Sequence, residues 1–468
     1  MRSKAVTRIL ALLFVLCLLP FCTFAVTGCK DNGHGGSETD TDFTDVSPDG
    51  GETQDPTGGE KTGNWIDYGT TPLAPTGHST GNFDRTKFHI GVYAFDNALG
   101  KEGAFTETMI KTLSDCRIDI ITNQMCDLEL ADMLQKYGLN FFYLEMPRGE
   151  NLPAEILNHP ACYGINLRDE PNSADLPGVG QRLLEIRDLF PDKISYVNLY
   201  PIQAGRGDVG NTYEGHLADY LDNIDCDYIS YDNYPFTSGS DSRKWYANLI
   251  TVAELCREND LSLWVIAQGV GDAYYGTWWG INANQMRVQA YTAMAFGTEM
   301  LSWWLWAEPV SDAPDGSTLS TLYDDWKSVN TEILGFADEF MKYRSMSTAF
   351  VGFDGAEGWD IAGIADGVPS LSVGAFVDFR STERGKKMVV GELAPRNGDG
   401  SSALMIADGT KFNGSSTATY EATFKVADSR TVKAYQGDTV TELLPDENGV
   451  YHLTVTPYAG ILLVAERK

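Results

Sequence analysis

The chain has no cluster of lysine or arginine: among 468 residues, 35 basic side chains stand against 65 acidic ones, a formal net charge of −30. Phosphate binding depends on clustered cations, so a nucleic-acid partner is not expected. Cysteine is scarce, with eight in all and no CxxC pair. A disulfide framework is therefore not expected, and Cys116, Cys126, Cys162, Cys226 and Cys256 read as mostly buried free thiols. The six histidines (His34, His78, His89, His159, His216, His452) show neither HExxH nor HxH spacing, so no metal ligands are assigned. GxxxxGK[ST] and GxSxG are absent, and Gly178-Val179-Gly180 lacks the third glycine of a dinucleotide loop and lies in a helical stretch. No cofactor is expected.

What is present is material for a core, with 43% hydrophobic and 11% aromatic residues. Arg2, Lys4 and Arg8 precede an apolar run from Ile9 to Val26, the charge pattern of a secretory signal peptide. An uncleaved anchor is the alternative, but Pro20 interrupts the run. Val26-Thr27-Gly28-Cys29 resembles the bacterial lipobox, which implies residues 1–28 as the leader and Cys29 as the lipidated residue. The expected product is exported and held at the cell surface, touching the membrane through its N-terminal lipid only. Residues 29–64 are rich in Gly, Thr, Ser, Asp and Glu, and between Lys30 and Asn64 nine acidic and two basic residues supply −7 of the net charge. So little apolar surface cannot offset the entropy of ordering, and the segment reads as a tether. Oligomeric state is not legible.

From 65 to 345, short runs rich in β-branched and aromatic residues alternate with helical patterns. Strands are predicted at 88–95, 118–124, 139–146, 162–169, 193–200, 228–235, 262–268 and 300–307, with helices at 103–116, 128–137, 177–190, 214–224, 243–258, 284–297 and 326–344. Eight units in about 260 residues fit a (β/α)8 TIM barrel. A doubly wound open sheet would show fewer units and a Gly-rich first turn. From 346 to 468 the pattern changes to strands separated by Gly, Asp, Asn and Pro: 370–379, 386–393, 402–407, 418–426, 431–436, 440–444 and 450–464. That rhythm predicts an all-β sandwich, with a structural role on the barrel flank.

A barrel's chemistry lies at the C-terminal ends of its strands. Strand four ends Asn166-Leu167-Arg168-Asp169-Glu170-Pro171, and strict alternation turns Asn166, Arg168 and Glu170 inward. The same rule turns Tyr143 and Glu145 inward on strand three, Tyr196, Asn198 and Tyr200 on strand five, and Ser230, Asp232 and Tyr234 on strand six. Gln268 ends strand seven, and Trp304, Trp306 and Glu308 share a face of strand eight. The loop after strand seven carries Tyr274, Tyr275, Trp278 and Trp279. Each residue has a plainer role, such as a turn, an ion pair or the core, but several strands delivering acids and aromatics to one end points to a carbohydrate site. Two carboxylates can protonate a glycosidic oxygen and oppose the anomeric carbon, and flat rings suit the apolar faces of sugars.

YGINLRDEPN, ISYVNLYP, SYDNYPF, LWVIAQ and AYTAMAFGTEMLSWWLW occur in this order and resemble bacterial glycoside-hydrolase-like surface proteins with a barrel and a C-terminal β-sandwich. These are related to the clan A barrels, which include the family 42 β-galactosidases, and the resemblance spans roughly residues 86 to 466. It implies a general acid/base glutamate ending strand four and a nucleophile glutamate ending strand seven. Glu170 matches the first, with Asp169 in place of the usual asparagine before it, but the second position holds Gln268, a neutral amide. The expectation is therefore a carbohydrate-cleaving barrel with Glu170 as general acid, its pKa raised by burial, and Asp232 as an ionised nucleophile or base. Glu308 and Glu145 are the next candidates for the second acid. Arg168, Asp169, Asn198, Tyr234, Gln268, Trp304 and Trp306 are expected to position the sugar. A glycan-binding protein on a barrel that lost its second acid is the alternative.

Overall fold

The computed structural model describes residues 83–93, 105–124, 126–144, 152–237, 242–271, 280–306, 319–353, 361–410 and 418–468. The leader, Cys29 and the tether lie outside them, as do Glu145, Glu308, Tyr274, Tyr275, Trp278 and Trp279. Eight parallel strands close into a barrel in sequence order, β1 (His89–Val92), β2 (Ile120–Gln124), β3 (Asn140–Leu144), β4 (Cys162–Asp169), β5 (Ile194–Leu199), β6 (Tyr228–Asn233), β7 (Ser262–Gln268) and β8 (Thr298–Trp304), with β8 pairing back onto β1. The intervening helices are α1 (Glu107–Asp115), α2 (Leu128–Lys136), α3 (Ala154–Leu157), α4 (Leu176–Leu189), α5 (Arg206–Val209), α6 (Tyr213–Asn223), α7 (Ser242–Glu258) and α8 (Ala283–Ala295), and α9 (Thr321–Phe340) follows β8. Their starts are local decisions. Thr106, Asp127 and Thr212 each accept a backbone N–H from the first turn of α1, α2 and α6, satisfying donors that a helix start leaves open.

The lower lumen is packed rather than hollow. Ile120, Phe142, Ile194, Tyr196, Tyr228, Trp264 and Met300 point inward, and Phe83, just before β1, closes the floor against them. Tyr228 and Trp264 stack at 3.9 Å between centroids, and Phe142 lies 5.0 Å from Tyr196. Phe142 therefore occupies the inward position on β3, and Tyr143, expected inward, packs against the cluster between barrel and helices. The polar groups of the floor are neutralised: Arg85 pairs with Asp227, and His89 has Asp119 Oδ2 at 2.6 Å and the Asp84 carbonyl at 2.8 Å on its two ring nitrogens.

The sandwich begins earlier than its spacing predicts. Helix α9 ends at Phe340, and β9 (Tyr343–Val351) is already sheet. It continues with β10 (Gly367–Val368), β11 (Leu371–Val373), β12 (Phe376–Ser381), β13 (Met388–Pro395), β14 (Ser402–Asp408), β15 (Tyr420–Val426), β16 (Arg430–Gln436), β17 (Thr439–Leu443), β18 (Tyr451–Val455) and β19 (Gly460–Arg467). One sheet runs β10-β9-β13-β14-β19-β16-β17 and the other β11-β12-β15-β18. Two runs read as single strands are each two. The stretch 370–379 turns back at Gly374, whose φ of +51° suits glycine, and 450–464 crosses from one sheet to the other between β18 and β19. Strands β13 and β14 are buried on both faces. Val389, Leu393, Ala403, Met405 and Ala407 join the barrel's core, while Met388, Val390, Leu404 and Ile406 join the core between the sheets. Helix α8 is packed closely against this sheet, since a Cβ on Gly391 would sit 2.0 Å from the Ala295 carbonyl oxygen, and α9 adds a contact where Gly335 meets Gly437. The five described cysteines are free, and burial raises their thiol pKa values, Cys162 to about 11 and Cys226 to about 12.

Candidate active site

At the C-terminal end of β4 the regular alternation breaks. Asn166 pairs with Tyr196 and Arg168 with Val197, so one extra residue is inserted in β4 and the two faces exchange from there on. Asn166 points inward, donating to the Thr122 carbonyl at 2.8 Å. Beyond the bulge Asp169 is the inward residue, opposite Asn198, and Arg168 points away to pair with Asp175 at 3.0 Å. The expected role of Arg168 in the lumen is thereby corrected: strict period-two alternation does not survive an inserted residue. Glu170 follows with φ of +47°, unusual for a side chain with a Cβ, and its N–H donates to the Asn198 carbonyl at 2.9 Å.

Strands β5 and β6 supply the rest. The Asn198 Nδ2 amide donates to Asp169 Oδ1 at 3.1 Å and to Asp232 Oδ1 at 3.0 Å. The Asn198 Oδ1 accepts from the Ser230 hydroxyl at 3.0 Å, and Ser230 lies 2.9 Å from the Tyr196 hydroxyl. Tyr93, at the end of β1, donates to Asp169 Oδ1 at 3.3 Å, and Tyr234 bonds Asp232. Trp304 leans over this group, 5.2 Å from the Tyr93 ring and 6.0 Å from that of Tyr234.

The electrostatics follow from the composition of the group. Burial, and then the charges of Asp232, Asp169 and Asp208, push Glu170 up to about 10. Its carboxyl makes no hydrogen bond or ion pair with any described residue. Asp232 is pushed up to about 7 by burial and the Asp169 charge, against the pull of its bonds from Asn198 and Tyr234. That differs from the expectation of a second acid that stays ionised: a value of about 7 leaves Asp232 only partly ionised at neutral pH, since two neighbouring acids share its surroundings. Asp169 is raised by burial and pulled down by Asn198, Tyr93 and Arg168. It is ringed by protein but open to water at the mouth, and that water screens it. Like charges this close cannot all ionise freely, and Glu170, raised further than Asp232, keeps its proton to higher pH.

Two further expectations are corrected by packing. Gln268 is fully buried and its amide is spent: Oε1 accepts from the Phe236 N–H at 2.8 Å, and Nε2 donates to the Phe236 and Val270 carbonyls at 3.2 and 3.0 Å. It braces the chain leaving β6 to the chain leaving β7 and offers nothing to a ligand. Trp306 is buried against Tyr323 and Trp326 under α9, because β8 ends at Trp304 and its alternation cannot be extended two residues further. Tyr93 was missed by sequence reasoning, although counting inward from His89 through Gly91 would have reached it. Asn198 was placed at the site, but nothing in the sequence marks it as the bond between two acids. Among the described residues, no group of three or more His, Cys, Asp or Glu is placed to hold a metal ion.

No protein-family model matches the chain, and no curated protein sequence matches it. Among solved structures, the β-galactosidase from Rahnella sp. R3 superposes with a TM-score of 0.47 at 7% identity, over 85% of this chain and all of that one (100%). The GH30 endoxylanase from Clostridium papyrosolvens C71 gives 0.41 at 12% identity, over 83% of this chain and 98% of that one. The endo-β-1,4-mannanase from Thermotoga petrophila gives 0.37 at 10% identity, over 80% and 92%. Likeness at this level carries no inference about activity, and any functional reading rests on the site's own groups.

Proposed function

We propose that the protein is a surface-anchored glycoside hydrolase that cleaves a poly- or oligosaccharide at the C-terminal mouth of its barrel. The observation that carries this reading is an unpartnered, protonated carboxyl on Glu170 beside the Asp232 carboxyl, in a mouth walled by Tyr93, Tyr234 and Trp304. Glu170 gives its proton to the glycosidic oxygen as the C1–O bond breaks, and the leaving sugar departs as an alcohol. Asp232 opposes the developing positive charge at C1, either by bonding to it or by taking a proton from an attacking water. In the first case, water then attacks C1 after giving its proton to the Glu170 carboxylate, and the Asp232–C1 bond breaks. Tyr234 and Asn198 hold Asp232 for this role, and Trp304 offers a flat apolar face to the sugar ring. Cys29 would carry the lipid that holds the protein at the membrane, and Cys29→Ser should release it to the soluble fraction.

A second reading is favoured by one feature. The amide of Gln268 stands where the related barrels carry their second acid, which fits a barrel that holds glycans without cutting them. A screen of the purified protein on plant and mucosal glycans separates the two readings, with cleavage and binding recorded alongside Glu170→Gln and Asp232→Asn. Cleavage lost in both variants supports the hydrolase and its two acids. Binding without cleavage in every form supports the glycan-binding reading and removes the proposed activity.

A further inference from the structure

Asn198 touches all three acid-bearing residues. Its backbone carbonyl takes the N–H of Glu170, and the two hydrogens of its one Nδ2 point to Asp169 and Asp232. An amide has two N–H bonds, so both aspartates are served at once and neither competes for the donor. We propose that Asn198 is the positioning residue of the site, and that its single side-chain amide favours the charged forms of both aspartates and so biases the shared proton toward Glu170. This rests on the reading of Glu170 as general acid.

The orientation of the amide is fixed from behind. Ser230 donates its only proton to Asn198 Oδ1, so the Tyr196 hydroxyl, 2.9 Å from the Ser230 oxygen, must be the donor to Ser230. Tyr196 is fully buried and stacked on Phe142 in the packed lumen, so this relay starts from close-packed side chains. A reversed amide would turn its oxygen onto two carboxylates, and the relay opposes that reversal. The same donor reaches both aspartates, but no donor reaches the Glu170 carboxyl among the described residues. A hydrogen bond given to a carboxylate stabilises its charged form, so this asymmetry adds to burial and like-charge repulsion in separating the aspartates from the glutamate that keeps its proton. The bulge in β4 has turned Arg168 away to Asp175, so its charge assists Asp169 without a hydrogen bond, and the amide is the donor that the two aspartates share.

The test uses the full-length protein with aspartates labelled at the carboxyl carbon, assigned by Asp169→Asn and Asp232→Asn, in wild type, Asn198→Ser and Asn198→Asp. If Asn198 sets the charge, the Asp232 carbon titrates about one pH unit or more higher in Asn198→Ser. The acidic limb of the kcat/KM profile rises with it, and kcat falls while KM moves little. Asn198→Asp keeps the shape but replaces the donor with an acceptor, and should shift the titration further in the same direction. Titration and profile unchanged in Asn198→Ser, with activity falling only as the folded fraction falls, would show a purely structural role and overturn the inference. The carbon titration also keeps the two proposals apart. A shifted titration in a protein that cleaves nothing leaves Asn198 its charge-setting role and removes the hydrolase, whereas cleavage with an unshifted titration does the reverse.

Discussion

The floor and the mouth of the lumen are lined by the same eight strands, yet they handle charge in opposite ways. At the floor each acid meets a basic partner: Asp119 faces His89 and Asp227 faces Arg85. Aromatic rings fill the space above. At the mouth Asp169, Asp232 and Glu170 face one another, and their donors are the neutral Asn198, Tyr93 and Tyr234. The floor thus spends its polar groups on stability, while the mouth carries a cost in self-repulsion of the kind that functional sites retain.

This contrast predicts that mouth changes cost activity without stability and floor changes the reverse. The largest effect is expected for Glu170→Gln, which should lower kcat by roughly 10²–10⁴ on any substrate found. The same change should raise the unfolding midpoint, and the gain should grow with pH. Glu170 is raised in the folded state, so from the ordinary glutamate range upward the folded protein binds more protons than the unfolded one, and stability falls as pH rises toward about 10. A midpoint that drops in Glu170→Gln at every pH between 5 and 9 would contradict the like-charge account of the mouth.

At the floor, Trp264→Ala should cost about 3–5 kcal/mol in denaturant unfolding, since it empties the stack against Tyr228. Residual folded protein should retain its kcat. Next in size, Gln268→Glu tests whether the missing acid can simply be restored. An ionised carboxylate there would face the Phe236 and Val270 carbonyls where the amide now donates, so a loss of about 1–3 kcal/mol and no gain in activity are expected. A gain in turnover would show that the position still opens to the site. The smallest effect is a slope. Burial disfavours the charged ring of His89, but Asp119 and the Asp84 carbonyl outweigh it, and the pKa is raised. Its contribution is therefore complete below about pH 6.5 and is lost as pH rises through the higher folded value. His89→Gln should flatten the dependence of the midpoint on pH from 6 to 8, and an unaltered slope would mean that the pair is not ionic.

Much of the architecture was legible because it is written locally. Each barrel strand falls within two or three residues of its expected bounds, since β-branched runs and capped helices are decided by near neighbours. Inward positions were correct on β5 and β6, where pairing is regular from Asn198 to Ser230 and along β6 to β7. They were wrong for Arg168 on β4, for Tyr143 on β3 and for Trp306 beyond β8. In the first case an inserted residue exchanged the faces, in the second the inward count began one residue off, and in the third the strand had already ended.

By itself the sequence determined the order of elements, the change from barrel to sandwich, and the end of the barrel where acids and aromatics gather, because periodicity and strand ends are short-range properties. The tertiary structure alone decided that Asp169 turns in and Arg168 out, that Gln268 is a brace, and that Asn198 joins Asp169 to Asp232. Those outcomes depend on hydrogen bonds between strands some thirty residues apart in sequence (|i−j| of 29 and 34), and on a register shift of one residue that no single strand's pattern records.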